Sequence, residues 1–346
     1  MTEPAAPVKP LPADMAATIT WAVDQRERMR AIAREAISGG LRNVWFVACG
    51  GSLYASSPAG YLLSRRARSF TAFRMNASEF NHLRPAAVGP DSLVVVGSHS
   101  GKTPETLAAI ETARSLGVRT IMGIGREVGS PLGQGVDEMF GYNSLHTVWE
   151  PKQVLLAYLA HGLLTASGDQ DTAVEEVAAR SYAALPGILP AALTGQDEAL
   201  AQIAAKLAGE PVIQVLGSGP NEDVARCLAM CYLQEMQWMH AAAFNAGDFF
   251  HGAFEVVTES MPVILFLGRD ATRPVAERAA RFLDKYTKLA YYIDAADLEM
   301  PGVAAESYPE IDPIVLGSTA VRLAQHFEAV TGHSLDIRRY MFKVEY

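Results

Sequence analysis

Six residues, Ser98-His-Ser-Gly-Lys-Thr103, carry three hydroxyls, a histidine and a glycine between an apolar run at 92–97 and a helix start at Pro104. Such a turn suits an anion. Backbone N–H groups that a helix leaves unpaired, the positive end of its dipole and the hydroxyls of Ser98, Ser100 and Thr103 would all donate to a phosphate. The plainer reading is that one hydroxyl caps the helix, but three exceed what a cap requires. The Cys49-Gly-Gly-Ser52 turn closes another apolar run, so Ser52 with Gly50 and Gly51, and His99 within the first turn, are counted in the same phosphate site. Nucleotide motifs fail on spacing. A P-loop would need glycine at position 96, where Val96 stands; Ala55 and Glu222 occupy the third-glycine positions of the two possible GxGxxG patterns.

A carboxylate and a histidine could move protons. At about 100° per residue, Cys227, Leu228, Cys231, Trp238 and Met239 fall within about 60° of Val224, with Glu235 at about 20° and Glu222, Asp223, Arg226 and Gln237 opposite. A glutamate centred on that stripe must pair or take up a proton, which raises its pKa toward that of an acid or base working near neutrality; a salt-bridged structural carboxylate fits the same pattern. His251 comes 16 residues later, between Gly247 and Gly252, which permit a tight backbone to aim it. A satisfied core or surface histidine is its plainer reading. In the tail, Tyr340, Met341, Phe342 and Tyr346 imply packing on something, which would make Lys343 a desolvated amine near a substrate. No HExxH or comparable spacing exists, so no metal is implied.

These groups need a frame, and near-continuous apolar strands alternating with helices supply it. Runs at 43–48, 92–97 and 119–124 are each followed by a Gly-punctuated turn or a helix, the signature of a parallel sheet covered on both faces. A helix is expected over 15–37, another over 54–66, and helical linker pieces over 153–165 and 171–184, loosened by Gly168, Pro186 and Pro190. About 170 residues later the grammar recurs at 211–216, 262–267 and 289–293, with a long helix after Gly217-Ser-Gly219. There Gly268-Arg-Asp-Ala-Thr-Arg-Pro replaces the hydroxyl-rich turn, so one turn is expected to hold a ligand and its counterpart to be structural. The division read from this is a leader and helix (1–34), a first domain with the phosphate site (35–185), a second domain (195–330) and a tail at the active site (331–346).

Composition narrows the classes. The 346 residues are 49% apolar and 19% charged, enough for two buried cores, and 29 basic against 38 acidic residues give a net charge of −9 that disfavours nucleic acid. Three cysteines without CxxC suit a reducing compartment. No apolar run is long enough for a membrane helix, and the leader, with Pro4, Pro7, Pro10 and Pro12, is no signal peptide; a soluble, cytoplasmic protein without membrane partners is expected.

The hydroxyl turn, Ser52, Glu235, His251-Gly252 and Lys343 together resemble the sugar-isomerase (SIS) family, and more closely its sugar-amine-6-phosphate deglycases. The resemblance covers residues 30–346. It implies two flavodoxin-like subdomains, each a parallel sheet between helices. It further implies a sugar 6-phosphate held by the turn and by Ser52, Glu235 as proton shuttle, His251 as acid–base partner and Lys343 as the lysine near the C-terminus. By the same resemblance the substrate is a 6-phosphorylated sugar-amine, no cofactor is used, and the protein is a homodimer or higher oligomer whose histidine reaches a neighbouring chain's site. A phosphosugar aldose–ketose isomerase or amino-sugar phosphate deaminase is the alternative; a non-catalytic phosphosugar sensor is more distant, since nothing like a helix-turn-helix precedes the first domain. Gly51 replaces a frequent hydroxyl, Lys102 the commoner Asn or Glu, and Asp248 and Ala253 the usual Glu and Pro, departures that bear on the substrate. With no glutaminase domain in the chain, glucosamine synthesis from glutamine is not expected.

Overall fold

The computed structural model describes residues 7–341 and 343–345; Pro4 of the leader and Phe342 and Tyr346 of the tail lie outside them. The chain forms two compact units, one of residues 12–187 with 302–310, the other of residues 188–301 with 7–11 and 311–345.

The N-terminal unit is built on β1 (Asn43–Ala48), β2 (Thr71–Asn76), β3 (Ser92–Ser98), β4 (Thr120–Gly125) and β5 (Glu138–Gly141). All pairings are parallel in the order β2-β1-β3-β4-β5, with Val47 beside both Met75 and Val96 and Ser98 beside Gly125. This is the flavodoxin-like order, whose direction of winding reverses between β1 and β3. Every residue of β1 is buried, as a strand covered on both faces requires. The turns that leave β1 and β3 at their carboxyl ends therefore sit side by side, and these are the Ser52 and Ser98–Thr103 turns.

The helix expected over 15–37 is two, Met15–Asp24 and Arg26–Ser38, parted at Gln25, whose N–H bonds back three residues to Ala22. The second packs on the almost wholly buried helix Trp149–Ser167. A Cβ on Gly162 would come within 3.0 Å of the Ala33 Cβ, which explains a glycine in mid-helix. Pro186 and Pro190 do not loosen the next helix, which runs Thr172–Thr194; the buried Leu185, Leu189 and Leu193 show that packing outweighs the lost N–H groups.

In the C-terminal unit, β6 (Ile213–Gly217), β7 (Ala241–Asn245), β8 (Val263–Leu267) and β9 (Ala290–Asp294) pair in parallel in the order β7-β6-β8-β9, again reversing between the first and third strands. The long helix expected after Gly217 is three pieces: a 3-10 turn Gly219–Asn221, an α-helical turn Glu222–Arg226 and a π-helix Cys227–Gln234. In the π segment the Glu235 N–H reaches the Met230 carbonyl and the Gln237 N–H the Tyr232 carbonyl, each five residues back and each at 3.0 Å. The wider turn rotates the residues beyond it. Gln237, expected on the polar face, is buried, and Trp238, expected in the apolar stripe, is 39% exposed.

Candidate functional site

Ser98 ends β3 with its side chain buried, and its Oγ lies 2.8 Å from Thr103 Oγ1 and 3.5 Å from Ser100 Oγ. The Gly101 N–H donates to Ser98 Oγ and the Lys102 N–H to Ser100 Oγ. Thr103 occupies the cap position of the helix Pro104–Ser115, yet its side chain makes no capping bond. The hydroxyls thus face one another around the turn instead of serving the helix, and each O–H can reorient toward an incoming anion. Gly101 makes the turn possible: its φ is +66°, and a Cβ there would lie 2.4 Å from Ser130 Cβ and Oγ.

Gly50 and Gly51 open the five-residue helix Gly50–Tyr54 that carries Ser52, and the Ser52 Cβ lies 3.4 Å from where a Cβ on Gly97 would stand. The turns after β1 and β3 are therefore in contact, as the winding requires. Sequence reasoning missed a buried cation beside Ser52. Lys152, only 4% exposed, donates from Nζ to Ser52 Oγ at 3.0 Å, in a cavity also lined by Gly97, Ala48 and Leu156. Its signal lay in helical phase: Lys152 belongs to the first turn of a helix that then runs apolar for several turns, so extending that helix to Trp149 turns the lysine inward.

His99 does not supply positive charge. Its Nδ1 is 2.6 Å from the Tyr142 hydroxyl, and burial, reinforced by Lys152, Arg126 and His146, pushes its pKa down to about 4. At neutral pH it is an uncharged hydrogen-bonding group. The Lys152 ammonium lies 5.8 Å from the centre of the Tyr142 ring, so the cation, the phenol and the imidazole line one end of the sheet.

The corresponding position of the C-terminal unit is already filled. Between the ends of β6 and β8, Asp270 is buried and accepts from the Thr272 hydroxyl at 2.6 Å, from the Thr272 N–H at 2.7 Å and from Asn221 Nδ2 at 3.3 Å; Thr272 Oγ1 is also 3.1 Å from Ser218 Oγ. A carboxylate of the protein itself takes the donors that a bound anion would take, which agrees with a structural role for this turn.

Glu235 comes directly after the π-helix and is partly buried. Burial raises its pKa, opposed by Arg338, whose Nε is 2.8 Å from Glu235 Oε1. The pairing reading and the raised-pKa reading thus hold together. His251 ends the 3-10 turn Asp248–His251 and is exposed, with no hydrogen bond or ion pair to another described side chain. The tail behaves otherwise than its aromatic content implies: Tyr340 is 63% exposed, Lys343 is exposed instead of desolvated, and the basic pair Arg338-Arg339 makes the contacts. Among the described residues no group of three or more His, Cys, Asp or Glu is placed to hold a metal ion.

Two doubly wound parallel sheets, one with the hydroxyl turn and a buried lysine at the point where its winding reverses, define an α/β protein. Residues 41–153 match the SIS domain, and the chain belongs to the SIS family. It is 35% identical to fructosamine deglycase FrlB of Bacillus subtilis (strain 168) over 313 residues, 88% of this chain and 92% of that one. It is 24% identical to the fructoselysine 6-phosphate deglycase of Escherichia coli (strain K12), covering 90% and 89% of the two chains. Among solved structures, a Bacillus subtilis protein provisionally assigned as a phosphosugar isomerase superposes with a TM-score of 0.86 at 32% identity, over 94% of this chain and 100% of that one. The C-terminal domain of glucosamine-fructose-6-phosphate aminotransferase from Francisella tularensis shares the fold, with a TM-score of 0.77 at 17% identity over 93% and 95%. The family relation makes the chain an enzyme.

Proposed function

We propose that this enzyme is a deglycase of 6-phosphorylated Amadori compounds, in which an amine or amino acid is attached to C1 of a fructose 6-phosphate unit. The observation that carries the reading is the cluster of Ser98, Ser100 and Thr103 hydroxyls after β3, together with a buried Lys152 bonded to Ser52 after β1. In this reading the turn, with Gly50 and Gly51, holds the phosphate and converts a floppy open-chain reaction into a positioned one. Lys152 is its cation and His99 a neutral donor or acceptor.

His251 passes a proton to the ring oxygen as the sugar opens. Glu235 removes a proton from C1 of the ketoamine, leaving an enolamine, and returns it to C2. The C1–N bond becomes an imine; water adds to C1, the C–N bond breaks, and glucose 6-phosphate and the free amine leave. Lys343 approaches the sugar oxygens as negative charge develops on them. The exposure of His251 fits a homodimer or higher oligomer in which this side chain completes a neighbouring chain's site. No described helix is long and apolar enough to cross a membrane, and the reading assigns the enzyme to the cytoplasm.

The test is release of glucose 6-phosphate together with free amine across a panel of fructosamine and glucosamine 6-phosphates. Release of both supports the reading, and Glu235→Gln should retain binding while abolishing turnover. Interconversion of sugar phosphates without amine release would make the enzyme an isomerase, and equal turnover of unphosphorylated fructosamines would remove the phosphate anchor.

A further inference from the structure

The C-terminal helix ends at Thr331, and Gly332, with φ +69°, turns the chain back along the end of the π-helix. Three residues there each hold a piece of the returning tail. Gln237, buried, donates from Nε2 to the His333 carbonyl at 2.6 Å and accepts from the Thr331 hydroxyl at 2.8 Å. Trp238 contacts the His333 ring, tilted by 53° at 4.3 Å between centroids, and the Arg339 guanidinium, 4.3 Å from its ring centre. Glu235 takes Arg338, at 2.8 Å.

Trp238 has φ +56°, a left-handed conformation that costs a bulky residue about 1–2 kcal/mol. The contacts of its ring with His333 and Arg339 offset that strain, and the segment beside Glu235 is held by the tail. The Arg338 guanidinium is itself immobilised. While Nε faces Glu235, Nη1 donates to the Leu335 carbonyl at 2.6 Å and to the Ile337 carbonyl at 3.1 Å, so the fork cannot swing without losing both.

This arrangement answers a conflict in the proposed mechanism. A base that removes a carbon-bound proton must begin ionised, yet a half-buried carboxyl favours its neutral form. We propose that Arg338 is the positioning residue of Glu235: the C-terminal strap over residues 332–341 holds the proton shuttle as a carboxylate and fixes the direction in which it points. Arg338 is the charged group that acts on Glu235 among the described residues; Arg339 and His333, the other ionisable groups of the strap in contact here, are engaged on the Trp238 ring. The inference rests on the proposed function in taking Glu235 as the base, and goes beyond it in assigning the group that sets its state.

Removing Arg338 removes what opposes the burial penalty, so the Glu235 pKa rises and the acid limb of kcat/KM moves to higher pH, by about 1 to 3 pH units. In Arg338→Ala, turnover of a fructosamine 6-phosphate near and below neutrality should fall about 10-fold or more and recover as the pH is raised. Arg338→Lys, which keeps the charge without the fork, should return the limb toward its original position while kcat stays reduced. A merely structural role would lower the whole profile without moving the limb and would gain nothing from lysine; that result overturns the inference. Arg338→Gln gives the same comparison should the alanine variant not fold, as judged by circular dichroism.

A second readout needs no substrate. With carboxyl-labelled glutamate, the resonance that disappears in Glu235→Gln should titrate at higher pH in Arg338→Ala than in the unmodified protein. If it does so in a protein that releases no amine from any sugar phosphate, the proposed function fails and the assignment of Arg338 stands. If it does not move while amine release continues, the assignment of Arg338 fails alone.

Discussion

Lys152→Met removes the buried cation at the hydroxyl turns while keeping most of its stem. Lys152 is 4% exposed and 3.0 Å from Ser52 Oγ, so an anion received by the two turns would meet an ammonium shielded from water. A charge-assisted hydrogen bond in such surroundings contributes about 1.5–3 kcal/mol, which at about 1.4 kcal/mol per decade corresponds to a factor of roughly 10 to 150. That loss should fall on KM for the phosphorylated substrate. Because phosphate is bound alike in the ground and transition states, kcat should change by less than about threefold. The assay is steady-state kinetics of amine release with matched phosphorylated and unphosphorylated fructosamines, together with inhibition by inorganic phosphate; a thermal melt confirms that the variant is folded. The inhibition constant for phosphate should weaken by a similar factor, and any residual turnover of the unphosphorylated compound should be unaffected. An unaltered KM, or the same loss for both compounds, would refute the reasoning, because either would show that Lys152 does not meet the phosphate.

Packing and charge set two further outcomes. Gly101→Ala forces a side chain into a left-handed backbone, at a cost of about 1–2 kcal/mol, and presses its Cβ to 2.4 Å from Ser130; denaturant unfolding should show a lowered midpoint, and KM for phosphorylated substrate should rise with it. Asp197 has its pKa held low by hydrogen bonding to the Arg322 guanidinium and to His326, so the stability it contributes is present above about pH 4 and is lost as the pH falls through its folded value. Asp197→Asn should therefore destabilise the protein by about 1–3 kcal/mol at pH 7, discounted for its 29% side-chain exposure, with the gap closing on acidification; a gap independent of pH would show that the ion pair is not the cause.

The sequence made six strands legible and hid three. β1, β3, β4, β6, β8 and β9 each begin within two residues of an apolar run, because most of them are covered on both faces. β2 is an edge strand with mixed exposure and no such run, β7 is an edge strand whose only apolar stretch is the short, alanine-rich Ala241-Ala-Ala-Phe244, and β5 is four residues long, so periodicity had little to detect. The hydroxyl turn was readable because its chemistry is local: residue types within a single turn suffice to recognise it. Lys152 was not, since a lysine near a helix start is ordinarily solvated, and the expected helix began at Gln153, whereas the helix begins at Trp149 and takes Lys152 into its buried first turn. Glu235 was found by a wheel of regular α-helical pitch that misplaced Trp238 and Gln237, because no residue type announces a π-helix. The contact of Arg338 with Glu235 was not legible, because tail aromatics suggest packing more loudly than an arginine suggests a partner.

The hydrogen bonds that skip an extra residue between Cys227 and Gln237 amount to one amino acid spliced into a coil without lengthening the path between its fixed ends. Such an insertion is heritable as a count. A related chain lacking a single position in this stretch would wind regularly, swing its acid by about a quarter of a revolution relative to the preceding turn, and lose the grip of its terminal arginine however faithfully both residues were retained. Gap placement in this dozen residues, more than identity at the acid itself, would then mark which relatives keep the same chemistry.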